Sequence, residues 1–261
     1  MMTLLTKSKY IICMFLISTC GAALGDDSYF NVTLGAEYAS GSYYSNDDVE
    51  EIYVPFTLSY GSGSVGYRIT VPYLSVRAPV GTIITNSQGQ AVVGEGPITT
   101  ENGLGDIVAG ITFYDLYVNK SLDVVVDATA KVKVGTADEI KGLGTGENDY
   151  SLQTNLYKFF DSYYLNASVG YKFRGDPSGL NLNDVWFGSL GASYRFSPST
   201  RAGIAYDYRE SSFEAGDTVQ EVSAFVSHKL DNSWGIQFYT FTGFNESSPD
   251  WGLGTLVKYS L

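Results

Sequence analysis

Catalysis needs a base, a nucleophile or a metal ligand in suitable company, and this chain offers little of that. It has one histidine, His228, and two cysteines, Cys13 and Cys20, both inside the first 25 residues. His228 shares an alternating face with Val222, Ala224 and Val226, next to the short connection Asp231-Asn232-Ser233. That places it at an interface rather than in a site. A Ser–His hydrolase therefore lacks its base, and zinc lacks its nitrogen and sulfur ligands. Asp47, Asp48, Glu50 and Glu51 could hold calcium loosely, but a solvated acidic loop accounts for them equally well. The run Gly142-Leu143-Gly144-Thr145-Gly146 opens no helix and so is no phosphate cradle. The expectation is no enzyme, no metal and no cofactor.

The remaining candidates are charges set at every second position of alternating segments. In 121–134, Asp123, Val125, Asp127, Thr129, Lys131 and Lys133 oppose Leu122, Val124, Val126, Ala128, Ala130, Val132 and Val134. In 163–174, Asn166, Ser168, Gly170, Lys172 and Arg174 oppose Tyr163, Leu165, Ala167, Val169, Tyr171 and Phe173. Successive side chains of a strand point to opposite faces. Arg or Lys facing lipid at mid-depth costs about 2–4 kcal/mol, so the charged faces are expected to point into a lumen. The alternation assigns Glu37, Glu51, Arg68, Asp106, Asp123, Asp127, Lys131, Lys133, Lys172, Arg174, Arg195, Arg201, Asp207, Arg209, Glu221, Lys229 and Lys258 to the lumen or its mouths. Bases outnumber acids in this set. Arg68, Arg195, Arg201, Lys229 and Lys258 fall toward the periplasmic half, and Glu37 and Glu51 toward the outer mouth. Two readings of this lining stay open: an ion-pair network that stiffens the barrel, or a selectivity lining.

The elements that must position these charges are about twelve strands, near 29–39, 49–60, 64–76, 105–115, 121–134, 149–160, 163–174, 185–196, 200–210, 219–230, 234–244 and 251–261. Lengths of about ten residues suit a tilted strand crossing a bilayer. Tight turns at 61–63, 161–162, 197–199 and 231–233, with a further one near 116–120, alternate with polar loops near 40–48, 77–104, 135–148, 175–184, 211–218 and 245–250. This predicts an all-β, transmembrane, up-and-down antiparallel barrel with both strand termini in the periplasm. A soluble two-sheet sandwich also alternates, but it would carry its polar face outside. The 21 tyrosines and the aromatic residues near strand ends suit membrane interfaces.

Residues 1–25 read as a signal peptide, with Lys7 and Lys9 ahead of an apolar stretch at 10–19 and small residues Ala23 and Gly25 before Asp26. Residues 26–261 would form the barrel, in the outer membrane of a Gram-negative bacterium. Without the leader the balance is 14 basic against 28 acidic residues, which argues against nucleic acid as a partner. The expected partners are outer-membrane lipid and lipopolysaccharide, the barrel-assembly machinery through the C-terminal strand, and a small solute.

Two segments carry a family resemblance. Glu101-Asn102-Gly103-Leu104-Gly105-Asp106-Ile107 opens the fourth strand, and Lys131-Val132-Lys133-Val134-Gly135-Thr136 with Gly142-Leu143-Gly144-Thr145-Gly146-Glu147-Asn148-Asp149-Tyr150-Ser151 joins the fifth and sixth. Both resemble the outer-membrane transporters grouped with the meta-pathway of phenol degradation. Val134 stands where that family has proline, and Ala137 where it has an acid. The resemblance implies a barrel that passes small, often aromatic, organic compounds without a chemical step, and it implies no particular site residues. The alternative is a structural or surface-interaction barrel with a closed lumen and acidic extracellular loops.

The short–long alternation generates a topology test. Single cysteines at 90 and 213 are expected to react with an impermeant reagent on intact cells, and cysteines at 198 and 232 to stay protected. Labelling at 198 or 232 breaks the topology.

Overall fold

The computed structural model describes residues 28–261 apart from 46, 87–89, 178, 214 and 215, with only the backbone of 85, 86 and 90. It also describes the backbone of a two-stranded ribbon, Ile11–Met14 with Ser18–Gly21, that pairs with nothing else described. The rest of the leader expected at 1–25 lies outside the described residues.

Twelve antiparallel strands close on themselves: β1 Tyr29–Gly41, β2 Val49–Ser62, β3 Val65–Pro79, β4 Ile107–Asn119, β5 Val124–Val134, β6 Asp149–Phe159, β7 Tyr163–Phe173, β8 Val185–Arg195, β9 Thr200–Arg209, β10 Val219–Lys229, β11 Trp234–Gly243 and β12 Trp251–Ser260. Each pairs with its sequence neighbours, and β12 pairs with β1 from Trp251↔Ser40 to Ser260↔Asn31. Closure is what the membrane demands, because an unpaired backbone edge cannot be solvated by hydrocarbon. A single closed sheet also excludes the two-sheet sandwich. Five tight turns gather at one end of the barrel and six longer loops at the other.

The outer wall is apolar. Leu34, Ile52, Phe56, Ile69, Leu152, Leu165, Val169, Leu190, Ile204, Val226 and Leu253 are all exposed on it. Aromatic pairs ring both ends. Phe160 stacks on Tyr163 at 4.2 Å between centroids, and Trp234 meets Tyr259 at 4.8 Å, near the turns. Tyr171 meets Trp186 at 5.0 Å, and Tyr38 meets Trp251 at 5.3 Å, toward the loops. Amphipathic rings at two levels around an apolar band match the two interfaces of a bilayer.

Two features depart from the expected strand limits. The turn expected near 116–120 lies at 120–123, because β4 carries a bulge. Val126 pairs with Tyr117 but Ala128 pairs with Phe113, so three residues of β4 stand opposite Asp127. Asp115 in that bulge has φ 57°, and its N–H donates to Asp127 Oδ1 at 2.9 Å. The extra residues carry the strand past 116 to an Asn-capped turn, where Asn119 Oδ1 accepts from Ser121 N and Leu122 N at 3.1 and 3.0 Å. The fourth strand is also split. Ile98–Leu104 pairs with the upper part of β3, β4 pairs with the lower part, and Gly105–Asp106 forms the break between them.

Inside, large rings lie flat on glycines of the adjacent strand. A Cβ on Gly61 would come within 2.2 Å of the Tyr29 ring, on Gly66 within 2.5 Å of Tyr114, on Gly170 within 2.3 Å of Phe187, on Gly252 within 2.2 Å of Phe241 and on Gly254 within 2.4 Å of Tyr239. Tyr29 and Tyr114 meet hydroxyl to hydroxyl at 2.9 Å, across β2 and β3. Many of the glycines are thus seats for aromatics, which cover bare backbone without filling the interior.

Gly254→Val is expected to lift the Tyr239 ring off the wall and cost about 1–3 kcal/mol of overpacking, lowering the temperature at which the folded gel band converts. Gly235→Ala is the control, since its Cβ would have no neighbour closer than 3.7 Å. Equal melting of the two variants contradicts the seating.

Candidate functional site

The strands enclose a cavity of about 420 Å³. Eleven of the seventeen charges expected at the lumen line it: Glu37, Glu51, Arg68, Asp106, Asp127, Lys131, Lys133, Lys172, Asp207, Arg209 and Glu221. The others lie elsewhere. Asp123 is exposed in the turn before β5 with φ 48°, because that strand begins at Val124 rather than 121. Arg195 and Lys229 are exposed at the turn end, where Arg195 Nη2 donates to Asp161 O at 2.8 Å. Arg201 lies over the Tyr164 ring at 5.5 Å. Lys258, near the turn end of β12, does not line the cavity either. Arg174 is buried toward the loops, with Nη1 donating to Ser212 Oγ at 2.6 Å and Nε 4.0 Å from Asp149. The basic excess inferred from alternation therefore sits at the turn end and outside the cavity.

Alternation within β6 placed Asp149 on the same face as Ser151, Gln153, Asn155 and Tyr157, and all five line the cavity. Asp149 is the charged lining residue that the sequence reading left out. So are the inward aromatics Tyr53, Tyr114, Tyr157, Phe187, Phe225, Tyr239 and Phe241. A tyrosine ring suits either face of a strand, so its presence alone does not say which.

The cations keep to one side of the wall, and the acids do not. Arg68, Lys131, Lys172 and Arg209 stand on β3, β5, β7 and β9, whereas Glu37, Glu51 and Glu221 stand on β1, β2 and β10. Asp106, Asp127, Asp149 and Asp207 stand among the cations, Asp127 on β5 with Lys131 and Asp207 on β9 with Arg209, where it pairs with Glu221. Glu37 accepts from Tyr239 Oη at 2.5 Å. Cross-strand hydroxyl pairs, Thr57 with Thr70 at 2.9 Å, Thr112 with Thr129 at 3.0 Å and Ser168 with Ser189 at 2.8 Å, complete a polar lining.

The two motif segments form one cluster at the loop end. Asp106 Oδ1 accepts from Thr136 N at 3.1 Å and Ala137 N at 3.0 Å, while Oδ2 lies 3.0 Å from Lys133 Nζ. Lys133 also reaches Asp149 at 3.5 Å and Thr145 Oγ1 at 2.9 Å. Thr136 Oγ1 accepts from Ile107 N at 3.0 Å, which ties the strand break to loop 135–148. Gly144 sits where a Cβ would be 2.9 Å from the Asp106 carboxylate, and Gly142, at φ 69°, packs on the Thr82 carbonyl. Ile84 N donates to Gly142 O at 2.8 Å. Through these contacts the loop after β3 and the loop after β5 fold together. Ile84 and Leu143, 3 % and 2 % exposed, pack with Val49, Leu74, Val76 and Ala78 and face the cavity. The acidic run noted at 47–51 does not act as a unit: Glu50 binds Arg77 at 2.9 Å, and Glu51 lies in the cavity. His228 is on the outer wall at the turn end, its Nδ1 2.9 Å from Thr200 Oγ1.

A closed twelve-stranded barrel with an apolar, aromatic-ringed outside and a charged inside is an outer-membrane β-barrel. Its fold is similar to that of the COG4313 outer membrane channel from Pseudomonas putida F1, with a TM-score of 0.72 at 11% identity over 92% of this chain and 97% of that one. It is also similar to the KdgM porin, with a TM-score of 0.55 at 10% identity over 88% and 99% of the two chains. The structure of that porin in complex with disordered oligogalacturonate gives 0.52. No curated protein sequence matches. The family model described as "Putative MetA-pathway of phenol degradation" matches residues 48–261, and the chain belongs to that family.

Asp106→Ala removes a half-buried ion-pair partner and the acceptor of two backbone N–H groups, so a loss of about 1–3 kcal/mol is expected. Limited proteolysis of the folded barrel is expected to cut loop 135–148 in the variant and spare it in the native protein. Equal resistance in both would show that the cluster does not anchor the loop.

Proposed function

We propose that this protein is a passive outer-membrane channel for small organic solutes, with no chemical step. One observation carries the reading. Seven acids and five bases line the cavity, and only Lys133 among those bases joins an ion pair within the described residues. A charge taken out of water without a partner costs several kcal/mol, so an unpaired lining of this kind favours a lumen that water enters. Lys131, although it points inward, is exposed.

The wall chemistry describes the solute. Cations on one side and the glutamates Glu37, Glu51 and Glu221 on the other create a field across the lumen, which low-dielectric walls strengthen. Inward tyrosines and phenylalanines offer flat apolar faces between them. Both favour a small organic molecule with a ring and a polar or anionic group, which agrees with membership of a family named for phenol degradation. Residues 1–25 would direct export and be removed, leaving the barrel in a Gram-negative outer membrane. Lipopolysaccharide would surround the loop end, and assembly would proceed through β12.

The folded loops set the resistance. Replacing residues 80–97 with a short Gly-Ser linker removes the Ile84 contact, and the unitary conductance in planar bilayers is expected to rise severalfold. Absence of current from both the native and the shortened protein sinks the channel reading and favours a closed surface barrel.

A further inference from the structure

We infer that Arg68, Lys131 and Lys172 form a binding track for organic solutes carrying two carboxylates. The inference rests on the channel reading and names the solute class that the lumen would hold.

The track follows from strand register. Arg68 pairs with Gly110, Gly110 with Lys131, Lys131 with Ser151 and Ser151 with Lys172. The three cations therefore occupy one hydrogen-bonded row, on alternate strands β3, β5 and β7. Neighbouring strands are 4.7–4.9 Å apart, so successive cations are rooted about 9–10 Å apart. The intervening positions hold a glycine and a serine, so no bulky side chain stands between them. A Cβ on Gly110 would meet nothing closer than 3.4 Å.

No carboxylate touches the row. The side chains of Arg68 and Lys172 donate no hydrogen bond and join no ion pair among the described residues, and Lys131 reaches only Gln153 Oε1 at 3.5 Å. Asp127, four residues from Lys131 on β5, accepts from Asp115 N and forms no ion pair among the described residues, and Asp106 and Asp149 are held by Lys133, with Asp149 within electrostatic reach of Lys172. Lys131 lies within electrostatic reach of both Arg68 and Lys172, so the three repel one another. Such a row is stabilised by an anion from solution. A chloride ion answers one cation, whereas a solute with carboxylates at both ends answers two at once. The second contact is then intramolecular and gains effective concentration. Phe187 lies beside the row, its ring seated on Gly170 two residues before Lys172, and gives an aromatic linker a face to stack on.

The test compares benzene-1,4-dicarboxylate with benzoate, by calorimetry on the folded barrel in detergent and by block of chloride current in planar bilayers. The dicarboxylate is expected to bind about tenfold or more tightly than benzoate. Lys131→Gln is expected to bring the two ligands to equal affinity. Arg68→Gln leaves the Lys131–Lys172 pair and is expected to weaken the preference without abolishing it, and Lys120→Gln, exposed in a turn, is the control. Heat-modifiable migration checks that each variant folds. Chloride current with no preference for the dicarboxylate, or a preference that survives Lys131→Gln undiminished, overturns the track and leaves the channel intact. Tight dicarboxylate binding in detergent with no current in bilayers upholds the track and removes the channel.

Discussion

The backbone hydrogen bond is the constraint from which the rest follows. In hydrocarbon an unpaired N–H or C=O costs several kcal/mol, so the sheet must close, and β12 must find β1. Closure then fixes which face of each strand is outside. Apolar side chains take that face, and the charges are left with the interior. The same constraint governs the one place where the wall is interrupted. At the break between Leu104 and Ile107, Gly105 N donates to Pro72 O at 2.9 Å and Ile107 N donates to Thr136 Oγ1, so the amides on either side of Asp106 keep partners.

A closed ring of twelve strands still has to be kept from collapsing inward. Bulky aromatics could fill it, and here they do not, because their rings lie against glycine seats on the adjacent strand. The cavity that survives is lined by fixed charges, with its cations kept to one side, and it is covered at the loop end by Ile84 and Leu143. Wall, lining and cover are thus three separate solutions, each built from different residues.

Much of this was legible in the sequence, and the reason is the period of two. A tilted strand facing lipid on one side and water on the other writes its orientation into every second residue, so all twelve strands and most of their inward charges could be placed, Asp149 being the one left out. Periodicity reports facing but not depth. Arg195, Lys229 and Lys258 have the parity of lumen residues yet sit at the turn end, beyond the cavity. Nor does alternation register an inserted residue, which is why the bulge at Asp115 moved the expected turn and left Asp123 outside the strand. The gathering of Glu37, Glu51 and Glu221 on neighbouring parts of the wall was also invisible, because it depends on where the ring closes. Loop folding escaped for a different reason: Gly142 and Gly144 matter through contacts with Thr82 and Asp106, far away in sequence.

That last contact bears on how relatives of this protein should be compared. The residues that make the family recognisable, Gly105, Asp106, Lys133, Thr136, Gly144 and Asp149, meet in one cluster that ties loop 135–148 to the broken strand. The row Arg68, Lys131 and Lys172 is rooted mainly outside it. The family signature thus lies in the anchor of the cover, while the residues that line the lumen lie in the wall. Grouping relatives by that signature sorts them by architecture, and the wall has to be compared residue by residue.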